Sequence, residues 1–259
     1  MTLADSHTHL YLDQFDNDRD DMVRRAIDNG VKYMFLPNID KDSIVPMMEL
    51  SGKFPENCFP MMGLHPTSVK EDYLEQLAVI EEWVEKESFT AIGEIGIDLY
   101  WDKTFIKEQE KAFRHQIRLA RSKGLAIVIH TRESFNEVFS ILEDEGTTGL
   151  KGVFHCFTGN LQQAEKITGW GFKLGIGGVI TWKNARIAEV LKSVAPEHII
   201  LETDAPFLAP DPFRGKRNES AYIKLIAEKL ALIKGVPVEV IAEATTANTL
   251  DLFGLKSRH

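Results

Sequence analysis

The chain has 259 residues, 44% hydrophobic and 27% charged, an ordinary balance for a globular protein and not that of a disordered one. Its formal charge of −9, from 30 basic and 39 acidic side chains, excludes a broad surface for coating nucleic acid but leaves room for a local basic pocket. No apolar run approaches the roughly 20 residues that cross a bilayer. The two cysteines, Cys58 and Cys156, form neither a disulfide framework nor a CxxC pair, so a reducing cytoplasm is the expected location.

The first stretch, LADSHTHL at 3–10, reads as a strand that carries polar residues where Val or Ile would serve better. In an extended chain Asp5, His7 and His9 fall on one face and aim at one space. No apolar leader precedes them, so a signal peptide is not expected. Further strands are predicted in VKYMFLPNI, 31–39, and CFPMMGLHP, 58–66, the latter reaching His65. A helix follows in LEQLAVIEEWVEKE, then a strand in FTAIGEIGID, 89–98, with Glu94 late in the run. QEKAFRHQIRLARSKG reads as a helix whose basic end and glycine make a stop signal. LAIVIHT leads to His130, KGVFHCF to His155, FKLGIGGVIT to no titratable group, and HIILETDAP to Asp204. A helix pair closes the chain, in 220–235 and 237–254. Eight apolar, β-branched runs alternating with amphipathic stretches predict an α/β fold, a TIM (β/α)₈ barrel, with a doubly wound open sheet as the runner-up.

A barrel gathers the C-terminal ends of its strands around one mouth. His7, His9, His65, Glu94, His130, His155 and Asp204 all fall at such ends. Taken singly, each has an ordinary explanation as a hydrogen-bonded core or rim residue; their joint placement does not. Four imidazoles and two carboxylates exceed what one structural zinc needs. His7, His9, Glu94, His130, His155 and Asp204 suit two divalent ions roughly 3.5–4 Å apart, with a carboxylate on the fourth strand able to bridge them. His115, His198 and His259 lie mid-helix, at the wrong strand end and in the tail, and are not expected to contribute.

The ordered motifs DSHTHL, GLHP, GEIGID, IHTRES, HCFTG and ETDAPFLAPDPFRGKRNE resemble those of the TatD family of metal-dependent deoxyribonucleases, within the amidohydrolase-like barrel superfamily. The resemblance runs nearly end to end and implies a single metal-dependent hydrolase domain over 1–259. It implies a divalent-metal site on His7, His9, Glu94, His130, His155 and Asp204, with Glu94 shared between metals, and phosphodiester hydrolysis that trims DNA from an end. Departures from the family pattern, the LYW after GEIGID, Thr158 and Ser220, touch no expected ligand and fall where they can alter the substrate groove.

The expected reaction is attack of an activated water on phosphorus, with Asp204 orienting the water and accepting its proton and Glu94 between the two ions, which are Mg, Mn or Zn. Glu202, two residues before Asp204, is expected to fix a histidine tautomer from behind. His65, Arg132, Arg214, Lys216 and Arg217 are expected to hold substrate phosphate, since an arginine fork matches two phosphate oxygens. Tyr100 and Trp101 are candidates to stack an unpaired base. The expected partner is DNA with single-stranded or frayed ends, with no membrane and no obligatory protein partner. Two alternatives stay open: an amidohydrolase acting on a small cyclic amide or lactone, and a non-catalytic metal-binding scaffold. The first is disfavoured by Glu94, where such barrels often carry a carbamylated lysine.

Overall fold

The computed structural model describes residues 1–256. Eight parallel strands run among the described residues: β1 Leu3–Asp5, β2 Val31–Pro37, β3 Cys58–Met61, β4 Ala91–Asp98, β5 Ala126–Arg132, β6 Gly152–Phe154, β7 Lys173–Ile176 and β8 Ile199–Leu201. The helices are α1 Arg19–Asp28, α2 Ile44–Lys53, α3 Tyr73–Lys86, α4 Ile106–Lys123, α5 Phe135–Glu145, α6 Leu161–Gly169, α7 Ile187–Ser193, α8 Ile223–Lys234 and α9 Val238–Leu252. None is long and apolar enough to cross a membrane.

The strands pair in sequence order, β1 to β3 and β4 to β8. Two seams join these arcs. Met62 N donates to Ala91 O at 3.1 Å and Gly93 N to Met62 O at 2.9 Å; on the other side Ser6 N donates to Leu201 O at 3.0 Å. The sheet therefore closes, and the open-sheet alternative is excluded.

Period-two alternation sorts the strand residues into two cores. Ala4, Tyr33, Phe35, Phe59, Met61, Ala91, Ala126, Val128, Val153 and Ile200 pack together inside the barrel, with Leu250, Leu252 and Phe253 from the end of α9 closing its floor. Their neighbours Met34, Leu36, Ile92, Ile127, Ile129 and Leu201 face the helices and join the larger core. Inward-facing positions two residues further on become the mouth: Val128 leads to His130, Val153 to His155 and Ile200 to Glu202.

Five strands stop well short of their apolar runs. β1 ends at Asp5, β3 at Met61, β6 at Phe154, β7 at Ile176 and β8 at Leu201. Beyond these ends the chain still pairs, but irregularly. Asp204 N donates to His7 O at 2.9 Å and His9 N to Ala205 O at 2.7 Å. Asp204 sits in the left-handed region, with φ 55°. His7, His9 and Asp204 thus belong to bent segments rather than to regular strands, which frees their side chains from strict alternation.

β4 carries a break in register between Ile92 and Ile95, which turns Glu94 into the barrel. Gly96 follows at φ +143°, and a Cβ there would lie 2.1 Å from His130 O. Any side chain would push β5 and His130 outward. Gly96→Ala should therefore lose about 3 kcal/mol or more of stability. That corresponds to a fall in Tm of roughly 6–12 °C, measured by calorimetry; an unchanged Tm would mean that the β4–β5 seam tolerates a side chain there.

Candidate active site

Glu94 stands at the centre of the mouth and is 2% exposed. Its Oε2 lies 3.1 Å from His7 Nε2 and 3.7 Å from His9 Nε2. Its Oε1 lies 2.7 Å from His130 Nδ1, 3.1 Å from His155 Nε2 and 3.4 Å from His65 Nε2. One carboxylate oxygen thus serves each of two histidine groups. Asp204 Oδ1 closes the first side, 3.7 Å from His7 Nε2 and 3.6 Å from His9 Nε2. Three overlapping sets of donor atoms arise, His7–His9–Glu94, His7–His155–Asp204 and His65–Glu94–His130.

The hydrogen bonds behind the cluster fix what each ring presents. Tyr11 donates its hydroxyl proton to Pro37 O at 2.5 Å, so its oxygen, 3.1 Å from His9 Nδ1, accepts from that nitrogen. His155 Nδ1 lies 3.1 Å from Glu202 Oε1, which also accepts from Cys156 N at 2.6 Å. His130 Nε2 lies 2.8 Å from Asp98 Oδ2. In each case the outer nitrogen has a partner that keeps its proton, so the inner one is the nitrogen that turns a lone pair toward Glu94 once the ring is neutral. His7 and His9 Nε2 sit 3.3 Å apart, His7 Nδ1 is buried without a partner, and His7 and His155 stack with centroids 3.8 Å apart.

Lone pairs and a carboxylate that face one another across 3–4 Å repel unless something positive lies between them. Ligand atoms around one small divalent cation keep roughly this separation when each is about 2.0–2.2 Å from the ion. The donor set therefore fits divalent metal, with carboxylate and imidazole as its ligand types. His65 differs: Thr67 N donates to its Nδ1 at 3.1 Å, so the neutral ring carries its proton on Nε2, facing Glu94 as a donor.

Electrostatics agree with this division. Burial pushes the Glu94 carboxyl up, but His155, His65 and His7 around it hold it well below the usual carboxylate range. Burial pulls His155 down, yet Glu94 and Glu202 hold it well above the usual histidine value; Asp98 and Glu94 likewise raise His130 against its burial. His7 and His9 are lowered, chiefly by burial. Burial pushes Asp204 up to about 8.

The cluster opens into a cavity of about 390 Å³ lined also by Ile39, Trp101, Arg132 and Phe207. Arg132 stacks on Tyr100, 3.9 Å from the ring centroid, and lies 5.3 Å from that of Trp101. The cations of FRGKRN divide. Arg214 lies on the Trp182 ring at 4.4 Å, while Lys216 extends over Phe213. Arg217, expected to hold substrate phosphate, instead grips Asp18 with both arms at 2.6 and 2.7 Å and Gln14 O at 2.9 Å. Its fork is spent on fastening the loop to the segment before α1. Asn218 orders the same loop through Thr203 O and Phe207 O, and Glu219 through Arg25.

Asp5 was grouped with His7 and His9 but turns away from them. It accepts from Thr203 N, Thr203 Oγ1 and Ser220 Oγ at 2.9, 2.6 and 2.6 Å, across the β1–β8 seam. β1 ends at this residue, so the alternation that would have aligned it with His7 ends as well. Asp98 and Tyr11 were missed. Their signal was present: Asp98 lies four residues past Glu94 on the same strand, and Tyr11 lies two past His9. His115 pairs with Glu81 at 2.8 Å away from the mouth, and His259 lies outside the described residues.

A closed parallel barrel with buried imidazoles and carboxylates converging at the C-terminal mouth defines a metal-dependent hydrolase. The chain matches the model of the TatD related DNase family over residues 4–254 and belongs to that family. A metal-dependent hydrolase of Bacillus subtilis, YabD, is 38% identical over 97% of this chain and 98% of its own. The 3'-5' ssDNA/RNA exonuclease TatD of Salmonella typhimurium is 34% identical over 97% of this chain and 98% of its own. The crystal structure of YjjV, a TatD homologue from Escherichia coli, superposes with a TM-score of 0.92 at 26% identity, covering 98% of both chains.

Cation binding must displace the protons that His130, His155 and Asp204 hold at raised values. Below those values acid competes with the cation, so affinity climbs with pH, by about tenfold per unit for each proton displaced, up to about 8 for Asp204. Calorimetric titration of Mn²⁺ in buffers of different ionisation enthalpy should show net proton release at neutral pH. Binding that releases no proton and does not vary with pH would exclude this site.

Proposed function

We propose that the protein hydrolyses phosphodiester bonds of DNA, removing nucleotides from single-stranded or frayed ends. In this reading His7, His9, Glu94, His130, His155 and Asp204 would hold two divalent ions, Mg, Mn or Zn, with Glu94 the residue that both would share. The observation that carries it is the division of Glu94, one oxygen toward each histidine group. The name of the Salmonella relative supports the substrate class. β4 reads AIGEIGID, with no lysine to carbamylate, and this favours a phosphodiester over a cyclic amide.

When bound, divalent cations supply Lewis acidity, acidifying water and neutralising charge on phosphate oxygens. The chain does the rest. Asp204, held at φ 55° with its carboxylate at the edge of the cavity, orients the attacking water and takes its proton. His65 points Nε2–H into the mouth and donates to a phosphate oxygen. Arg132, which has no ion-pair partner among the described residues, offers its fork to the same phosphate. Tyr11, Asp98 and Glu202 fix which nitrogen of each ring faces outward and so aim the inner nitrogens at the mouth.

Glu94→Gln should retain the fold by near-ultraviolet circular dichroism while kcat on end-labelled single-stranded DNA falls on the order of 10³-fold or more. Asp204→Asn should lower kcat with little change in KM, and Arg132→Ala should raise KM by about tenfold. Mn²⁺-loaded protein that turns over a dihydropyrimidine-type amide and releases no mononucleotides would overturn the nuclease reading.

A further inference from the structure

The mouth has a second lobe. A cavity of about 310 Å³ shares His130, Arg132, His155 and Asp204 with the first and continues to Cys156, Thr158 and Trp182. Arg132 lines both lobes. At the far wall Trp182 is fixed by its indole N–H, which donates to Ala209 O at 3.1 Å, and the Arg214 guanidinium lies 4.4 Å from its ring centroid. Neither Arg132 nor Arg214 has a carboxylate partner among the described residues. Arg19, Arg25, Arg114, Arg118 and Arg217 all sit on carboxylates.

From this juxtaposition we infer that the second lobe is a subsite for the nucleotide adjoining the one at the histidine cluster. The inference rests on the nuclease reading and adds which residues hold the second nucleotide of its substrate. Each lobe lies at the low end of the roughly 300–1,000 Å³ that accommodates a small organic ligand, so each takes about one nucleotide. Two such lobes in a row accept a strand of unpaired nucleotides and exclude a duplex, whose bases are covered by their partners. The phosphate between the two nucleotides passes Arg132, the wall common to both lobes. Arg214 on Trp182 supplies the next positive charge, and the apolar wall of Val179, Trp182 and Leu208 receives the base. In a chain of net charge −9, two guanidiniums that each lie over an aromatic ring and face no carboxylate make a local patch that matches a polyanion. Trp101, 68% exposed on the wall of the first lobe, gives the terminal base a similar surface.

The test compares two substrates with the Mn²⁺-loaded full chain: the octanucleotide dT8, which fills both lobes, and bis(p-nitrophenyl) phosphate, which fills one. Trp182→Ala and Arg214→Ala should each lower kcat/KM on dT8 by about tenfold, mainly through KM. The loss on bis(p-nitrophenyl) phosphate should be several-fold smaller. Arg214→Ala should also reduce the slope of log affinity for dT8 against log salt by about 0.7, one single-strand phosphate contact. Equal losses on both substrates, or an unchanged KM for dT8, would overturn the subsite. Anisotropy of labelled dT8 on the Glu94→Gln chain separates this idea from its premise. Wild-type protein that fails to cleave DNA, with dT8 binding weakened tenfold by Trp182→Ala, ends the nuclease reading and keeps the subsite. Cleavage of dT8 unaffected by either substitution ends the subsite and keeps the nuclease reading. No binding of dT8 ends both.

Discussion

The structure depends on a buried charge that cannot stay alone. Removing a carboxylate from water costs several kcal/mol unless positive or hydrogen-bonding partners replace the solvent. Glu94 is surrounded by His7, His9, His65, His130 and His155, drawn from the ends of four different strands. This demand explains features that look unrelated along the chain. The register break in β4 swings Glu94 inward, the absence of a side chain at Gly96 lets His130 approach, and the closed ring brings β1 and β8 close enough for His7, His9 and Asp204 to face it. Without a cation, protons on His130 and His155 meet the demand. With one, those protons have no further reason to stay.

A second layer converts this cluster into a site of defined chemistry. Tyr11, Asp98 and Glu202 each take the outer nitrogen of one histidine and so decide where its lone pair points. Glu202 is accommodated because residue 175 is glycine; a Cβ there would lie 2.3 Å from Glu202 Oε2. The GIGG run of β7, which carries no titratable group, thus serves the site by leaving space. Asp98 has a further reach. Its second oxygen accepts from the amides of Tyr100 and Trp101 at 2.9 and 3.0 Å. One carboxylate therefore joins His130 to the aromatic pair on which Arg132 rests, so the catalytic cluster and the substrate rim share a support.

Legibility from sequence followed the reach of simple periodicity. The barrel and its strands were readable because alternation in runs such as AIVIH and KGVFH is undisturbed, and His130 and His155 fall where Val128 and Val153 predict. The reading weakened where the chain leaves regular strand. Asp5 and His7 are two residues apart, yet β1 ends between them and they face different partners. His65 was expected against substrate, and the structure also draws it to within 3.4 Å of Glu94. The basic loop shows a different limit. Arg214, Lys216 and Arg217 are chemically alike on paper, but only tertiary contacts reveal that Arg217 is committed to Asp18 while Arg214 lies over Trp182, a residue that lines a cavity. Proximity in sequence reports neither direction nor prior engagement.

Asp5 and Glu94 make that limit sharper. Both are strand acids and both are buried. Asp5 is surrounded by hydroxyls and an amide, dipoles without net charge, and burial pushes it up to about 7. Such a group holds a seam together and can do so with its proton on. Glu94 is surrounded by imidazoles, and its carboxyl is driven the other way. A carboxylate that stays ionised against its own burial must have cationic company at all times, whether protons or metal. The sign of the shift, set by what kind of neighbour replaces water, is therefore what separates an acid that fastens this barrel from the acid around which its chemistry is built.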